Sequence, residues 1–217
     1  MPQSVLDPKN KTVQGKWKPD GPLPRRVREF GRYPNLDDWL PGDLLLFRKS
    51  ENPSRVSKLI VKAQESSFDL EHARWHHAAV YVGDGFLCEA NIFPGVQYRP
   101  IHDYVGKHCI RVRRDPTLAQ GEGFKLAIRS LTRLRETYGI LTAFGLGLKA
   151  LRGFWHPTTL ALDSQGVICS RLYELAYMAA TGRIISDTGG RPIIPADLSL
   201  TDNLKDVSVY WLEIARD

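Results

Sequence analysis

The chain has 217 residues, 42% hydrophobic and 25% charged, with a formal net charge of +6. That length and balance suit one domain with a sizeable core, or one domain plus a tail. The positive charge permits an acidic partner such as a cell-wall polymer or an anionic membrane. The lysines and arginines are scattered, however, and no specific nucleic-acid partner is expected. Three cysteines without a CxxC pair exclude a disulfide framework and a structural zinc site, and they fit synthesis in a reducing compartment. Met1 to Arg26 lacks an apolar signal core, so the expectation is a cytoplasmic protein as synthesised, any export following a non-Sec route. No stretch is long and apolar enough to span a membrane. The nearest approach, residues 140–155, is interrupted by Lys149 and Arg152.

In chain order, residues 1–34 are rich in Pro, Lys, Arg and Gly with no regular apolar period, and read as a solvated N-terminal arm. Residues 35–217 read as the domain. Pro41-Gly42-Asp43 predicts a turn into a buried strand at Leu44–Phe47. Val56, Leu59, Ile60 and Ala63 recur at helical spacing behind Ser54, a potential N-cap, and residues 65–74 read as loop. His77–Val82 predicts a strand, Gly83-Asp84-Gly85 a tight turn and Phe86–Ala90 the returning strand of a hairpin. Val96–Arg99 and Cys109–Arg113 read as further strands. Phe124–Tyr138, with Leu126, Ile128, Leu131 and Leu134, predicts a helix ended by Gly139, and Leu141–Phe154 a second helix. A third helix opens at Cys169 and stops at Gly182. Pro192–Leu198 reads as a loop into a short turn, and Val207–Ile214 as a closing strand. This order predicts an α+β fold with a mostly antiparallel sheet.

The chemistry is expected around Cys169. Gly166 permits a sharp entry, and Leu172, Leu175, Ala176 and Ala179 give the following helix one apolar face. A thiol at a helix N-terminus feels the positive end of the dipole, which favours the thiolate. The alternative is a small residue sealing a helix against a sheet. A nucleophilic thiol needs a base, and of six histidines only His76 and His77 open a half-buried strand. At most one of them faces the cysteine helix. His77 would do so beside the small Ala79, and His76 beside Ala78, Val80 and Val82. Glu89 lies near residue 79 across the hairpin. It either orients the histidine or faces solvent from an edge strand.

Pro41-Gly42-Asp43-Leu44, the run Trp75 to Gly85, Glu89-Ala90 with Gly95-Val96, Cys169-Ser170 at a helix start and Pro195-Ala196-Asp197-Leu198 together resemble the circularly permuted NlpC/P60 (YiiX/YaeF-like) papain-fold hydrolases. That group includes lecithin–retinol acyltransferase-like enzymes, and in its permuted branch the histidine precedes the cysteine. The resemblance spans residue 38 to the C-terminus. It implies Cys169 as nucleophile, His77 rather than His76 as base, and Glu89 as the group that orients it. Tyr138, Ser170 and Tyr81 are implied near the substrate, and neither metal nor other cofactor is implied. The peptidases of this family carry an aspartate before the cysteine to hold a free amine; here that residue is Ile168.

The function so implied is a thiol protease or amidase cleaving a peptidoglycan peptide bond, as a secreted antibacterial effector or lysis factor. Ile168 and the apolar 140s, which suit a membrane surface as well as a core, point instead to a lipid, acyl-amide or ester hydrolase or acyltransferase of the same fold. A binding module that keeps the fold without catalysis is the third reading. The residues leave the oligomeric state open.

Overall fold

The protein is described here by a computed structural model covering residues 3–91, 93–136 and 168–215. Within these residues the frame is a seven-stranded antiparallel sheet. Strands β1 (Val5–Leu6), β8 (His108–Arg114), β4 (Leu44–Lys49), β5 (His77–Gly83), β6 (Phe86–Asn91) and β7 (Gly95–Pro100) follow one another, and β9 (Lys205–Asp206) pairs with β8. A smaller sheet sets β10 (Trp211–Ile214) between β2 (Val13–Trp17), which runs parallel to it, and β3 (Arg32–Pro34), which runs antiparallel. The fold is thus mixed α+β with a mostly antiparallel sheet.

Both faces of the large sheet are covered, which explains the unbroken apolar run of β4. Leu45 and Phe47 join Ala79, Tyr81, Ile110 and Val112 in one cluster, closed by Leu6, Val27 and Trp211. Leu44 and Leu46 join Ala78 and Val80 in the other, beneath the helices α4 (Glu122–Leu131), α5 (Cys169–Thr181) and α6 (Pro195–Leu200). Helix α5 buries Leu172, Tyr173, Ala176 and Tyr177 and ends where Gly182 adopts φ 70°, the left-handed cap expected there.

Several expectations are corrected. Residues 3–34 are not a solvated arm: β1 pairs with β8, β2 and β3 flank β10, and Leu6 of β1 and Val27 of the helix α1 (Arg25–Phe30) are fully buried. These pairings join residues far apart in sequence, so they leave no local period to read. Helix α4 begins at Glu122 and ends at Leu131, short of Tyr138. Beyond it Arg135 takes φ 72°, and residues 135 and 136 exchange backbone hydrogen bonds with Val96 of β7. Ile128, assigned to the inner stripe, is exposed, while Leu126, Ala127 and Ser130 face inward. In helix α2 (Arg55–Gln64) Ser54 does cap, accepting from the Ser57 N–H at 3.1 Å, but Val56 and Leu59 are exposed and Ser57 and Gln64 are the buried residues. Gln64 turns inward because it donates to the Ala73 and Trp75 carbonyls (2.7 and 2.8 Å) and accepts from the Ala196 N–H (3.0 Å). It thereby ties α2 to the end of α3 (Leu70–Ala73), to the approach to β5 and to α6. Residues 195–200 form that helix rather than a simple turn, and the closing strand shortens to β10. The predicted helix at 141–154 lies outside the described residues.

The Pro-Gly-Asp turn has a structural task. Asp43 is buried and accepts two bonds from the Arg114 guanidinium (2.6 and 2.7 Å) and one from the Leu40 N–H (2.9 Å). Gly42 has φ 96°, and a β-carbon on it would lie 2.5 Å from the Gly123 carbonyl oxygen at the start of α4. The turn and the helix meet backbone to backbone. Gly42→Ala is therefore expected to destabilise the fold by about 2 kcal/mol or more through strain and overlap together. Urea unfolding monitored by tryptophan fluorescence measures this, and an unchanged midpoint would contradict the close approach.

Candidate active site

Three elements deliver the reactive side chains: the first residue of β5 brings His77, the middle of β6 brings Glu89, and the first residue of α5 brings Cys169. Asp84 and Gly85 form the hairpin turn with φ 50° and 75°, and the resulting register puts Glu89 directly opposite Ala79. Because side chains alternate along a strand, Glu89 and His77 then share one face.

Glu89 is fully buried and well supplied with donors. Its Oε2 lies 2.7 Å from His77 Nε2 and accepts from the Tyr104 hydroxyl. Its Oε1 accepts from Asn91 Nδ2 at 2.6 Å and Gln97 Nε2 at 3.2 Å. Burial alone would raise the carboxyl pKa, but the charge and hydrogen bond of His77, the Tyr104 bond and the nearby Arg99 outweigh it and hold the group below its ordinary value. Burial would likewise lower His77. The Glu89 charge, hydrogen bonding to Cys169 and Glu89, and the charge of Cys169 reverse that and raise the imidazole to about 10. Since Nε2 is committed to Glu89, Nδ1 is the nitrogen left for the thiol.

His76 has a different role. Its Nε2 accepts from the Lys49 N–H at 3.1 Å, and burial followed by the charges of His77 and His108 depresses it to about 3. A nitrogen already bonded to a backbone donor does not take a thiol proton. Contrary to the expectation that Ala79 leaves room for the cysteine helix, Cys169 packs in the cluster of Ala78 and Val80, whereas Ala79 and Tyr81 belong to the opposite face. His77 sits with Phe47 and Tyr104, ring centroids 5.9 and 6.3 Å away, and the Cys169 side chain still reaches it as an interaction partner from the end of α5.

The structure thus brings Cys169, His77 and Glu89 together. It does not bring the other two described residues to the same place. Ser170 is buried and donates to the Ile193 carbonyl at 2.7 Å. Tyr81 is buried in the opposite cluster against Trp39, its hydroxyl accepting from the Gly85 N–H at 3.1 Å within the hairpin. Tyr138 lies outside the described residues. Tyr104, Asn91 and Gln97 were missed. Asn91 and Gln97 were legible in principle, since both fall on the Glu89 face by alternation across β6 and β7. Tyr104 follows a short 3-10 turn (Ile101–Asp103) that no period announces.

Ile168 occupies the N-cap position of α5 and is buried, with no side-chain cap hydrogen bond and no acidic residue in the first turn. The first-turn N–H groups, that of Cys169 included, are therefore not claimed by a capping side chain.

No family model matches the chain, and no curated protein matches it. Among solved structures the chain is similar to the crystal structure of the metalloprotein YiiX from Escherichia coli O157:H7, with TM-score 0.51 and 16% identity, over 77% of this chain and 96% of that one. At that identity the likeness is one of fold.

The His77–Glu89 pair carries a stability signature. Glu89 contributes above its unfolded pKa of 4.5 and loses that contribution as pH falls; His77 contributes fully below 6.5 and loses its contribution as pH rises through about 10. Glu89→Gln is expected to cost about 3 kcal/mol near pH 5 to 6. The gap from wild type should narrow in both directions. Denaturant titrations at pH 3.5, 5.5 and 9.5 test this, and a gap independent of pH would contradict the charged pair.

Proposed function

We propose that this chain is a cysteine hydrolase of the circularly permuted papain type, which opens an amide or ester bond through a thioester on Cys169. One observation carries the reading. A cysteine at a helix N-terminus shares a histidine with a buried, fully bonded glutamate, in the order histidine, glutamate, cysteine along the chain. The fold likeness to YiiX is compatible with it.

The steps follow from the geometry. The thiol proton is held on His77 Nδ1, the ring being charged beside Glu89, and the sulfur attacks the substrate carbonyl carbon as the thiolate. The negative charge that develops on the carbonyl oxygen is met by the Cys169 N–H at the positive end of α5. As the tetrahedral adduct collapses, His77 gives the proton to the departing nitrogen or oxygen. The same ring then takes a proton from water, which attacks the thioester and restores the thiol. Glu89 acts throughout by stabilising the charged imidazole and fixing its orientation, while Asn91, Gln97 and Tyr104 fix Glu89.

YiiX is described as a metalloprotein. Among the described residues here, no group of three or more His, Cys, Asp or Glu side chains is placed to hold a metal ion, and His76 turns Nε2 to a backbone donor. The described residues do not form such a site, and no step is routed through a metal.

For the substrate, a cell-wall peptide fits the basic chain, but the buried, apolar Ile168 offers no carboxylate to a free amine. This favours an acyl amide or ester without one. Wild type and Cys169→Ala are to be incubated with peptidoglycan and, separately, with N-acyl amides and phospholipid, and the products identified by mass spectrometry. Turnover of one substrate class is expected, falling by about 10³-fold or more in the variant while circular dichroism is unchanged. Equal turnover by both proteins would overturn the proposal, and salt-sensitive binding without turnover would replace it with a binding module.

A further inference from the structure

His77 also forms part of the wall of a cavity of about 390 Å³, together with Lys49, His76, Arg99 and His108, while Val56 and Ile60 of α2 supply an apolar flank. The polar groups of this wall are unevenly satisfied. Asp103, the carboxylate of the described wall, is engaged by Arg99 at 2.7 Å and by Arg26 at 3.9 Å. His108 has its Nδ1 buried and without a hydrogen-bond partner among the described residues. Lys49 gives its backbone N–H to His76, and its ammonium joins no ion pair among the described residues.

The electrostatics of the wall agree with this inventory. His108 is lowered to about 4 by burial first and then by the charges of His77 and Lys49; His76, at about 3, is lowered by burial, His77, His108 and, last, Lys49. Both rings are neutral at ordinary pH, and the Lys49 charge stands close to both. A second hollow of about 490 Å³ shares Lys49 with Lys9 and Lys107, and its Glu51 is paired with Lys9 at 3.5 Å. The positive field therefore continues past the cavity. An unpaired ammonium and a buried ring nitrogen beside an apolar flank together call for an anion on a short carbon stem.

We propose that this cavity receives an anionic group of the substrate, a carboxylate or a phosphate, held by the Lys49 ammonium and the His108 Nδ1–H with its carbon stem along Val56 and Ile60. The inference rests on the thiol-hydrolase reading and narrows it to acyl substrates that carry a negative charge near the scissile carbonyl. Lys49 and His108 are then specificity-determining residues, while the bond-breaking steps stay with Cys169 and His77.

Binding can be read without turnover. The full chain is to be titrated calorimetrically with monomethyl glutarate, with dimethyl glutarate as the neutral control, and with inorganic phosphate in a separate arm. The monoanion should bind about tenfold or more tightly than the diester, as for a charged hydrogen bond. Lys49→Gln should abolish that preference and Lys49→Arg restore it, and His108→Gln should weaken it severalfold. Tighter, Lys49-dependent binding of phosphate would assign the anion to a phosphate instead. The same affinity for monoester and diester with weak phosphate binding, or affinities unmoved by Lys49→Gln, would overturn the inference. The hydrolase reading fails separately, through Cys169→Ala turnover equal to wild type.

Discussion

The candidate site depends on one buried charge. Glu89 sits in the middle of β6 with no exposed surface, and an isolated carboxylate there would cost several kcal/mol. It persists because His77, Tyr104, Asn91 and Gln97 all donate to it. These four donors are placed by three pieces of the fold: the start of β5, the turn after β7, and the register of β6 against β7, which sets both Asn91 and Gln97. The chemistry of the histidine is thus a consequence of how the hairpin closes. The same network limits what can vary, since removing one donor leaves a buried oxygen unsatisfied rather than simply loosening a contact.

Around that charge, the sheet separates two tasks. One face packs against the cysteine helix, with Ala78 and Val80 beneath Cys169, Tyr173 and Ala176. The other carries His77, Phe47 and Tyr104, with their rings stacked or tilted on one another. The cysteine lies where the end of the helix meets the first residue of β5. Two neighbouring histidines are driven in opposite directions by their surroundings. His77 is raised to about 10 because a carboxylate offsets its burial, and His76 falls to about 3 because burial and the charges of His77 and His108 act on it without one. Residues adjacent in sequence acquire different chemistry purely from which face they occupy.

Much of this was legible in the sequence because it is specified locally. The apolar run of β4, the Gly83-Asp84-Gly85 turn, the hairpin register that sets Glu89 across from Ala79, and the Gly182 stop of the cysteine helix each follow from a turn residue or a period of two or 3.6. What was not legible is what distant segments supply. Val5 pairs with Arg111 and Trp211 with Val13, so a stretch that looks like a solvated arm is tied into both sheets. Alternation in β8 marks Arg111 and Arg113 as one face but not that the face is covered. There Arg113 donates to the carbonyls of Leu198, Ser199 and Thr201 and closes the end of α6. Tyr104 was missed for the same reason, since its value lies in a contact made across the fold. The Pro-Gly-Asp and Pro-Ala-Asp-Leu motifs that carried the family resemblance prove to be anchors, Asp43 for Arg114 and Asp197 for Arg191 and the Ile194 N–H.

The central claim is that His77, supported by Glu89, activates the Cys169 sulfur, and the protein contains its own controls. Burial pushes Cys88 to about 11 and Cys109 to about 12. Alkylation by iodoacetamide at pH 6 to 7, with each cysteine followed by mass spectrometry in wild type and His77→Ala, therefore tests the claim directly. Rapid modification of Cys169 ahead of Cys88 and Cys109, lost in His77→Ala, is the result expected. Slow and equal modification of all three cysteines in both proteins would contradict it.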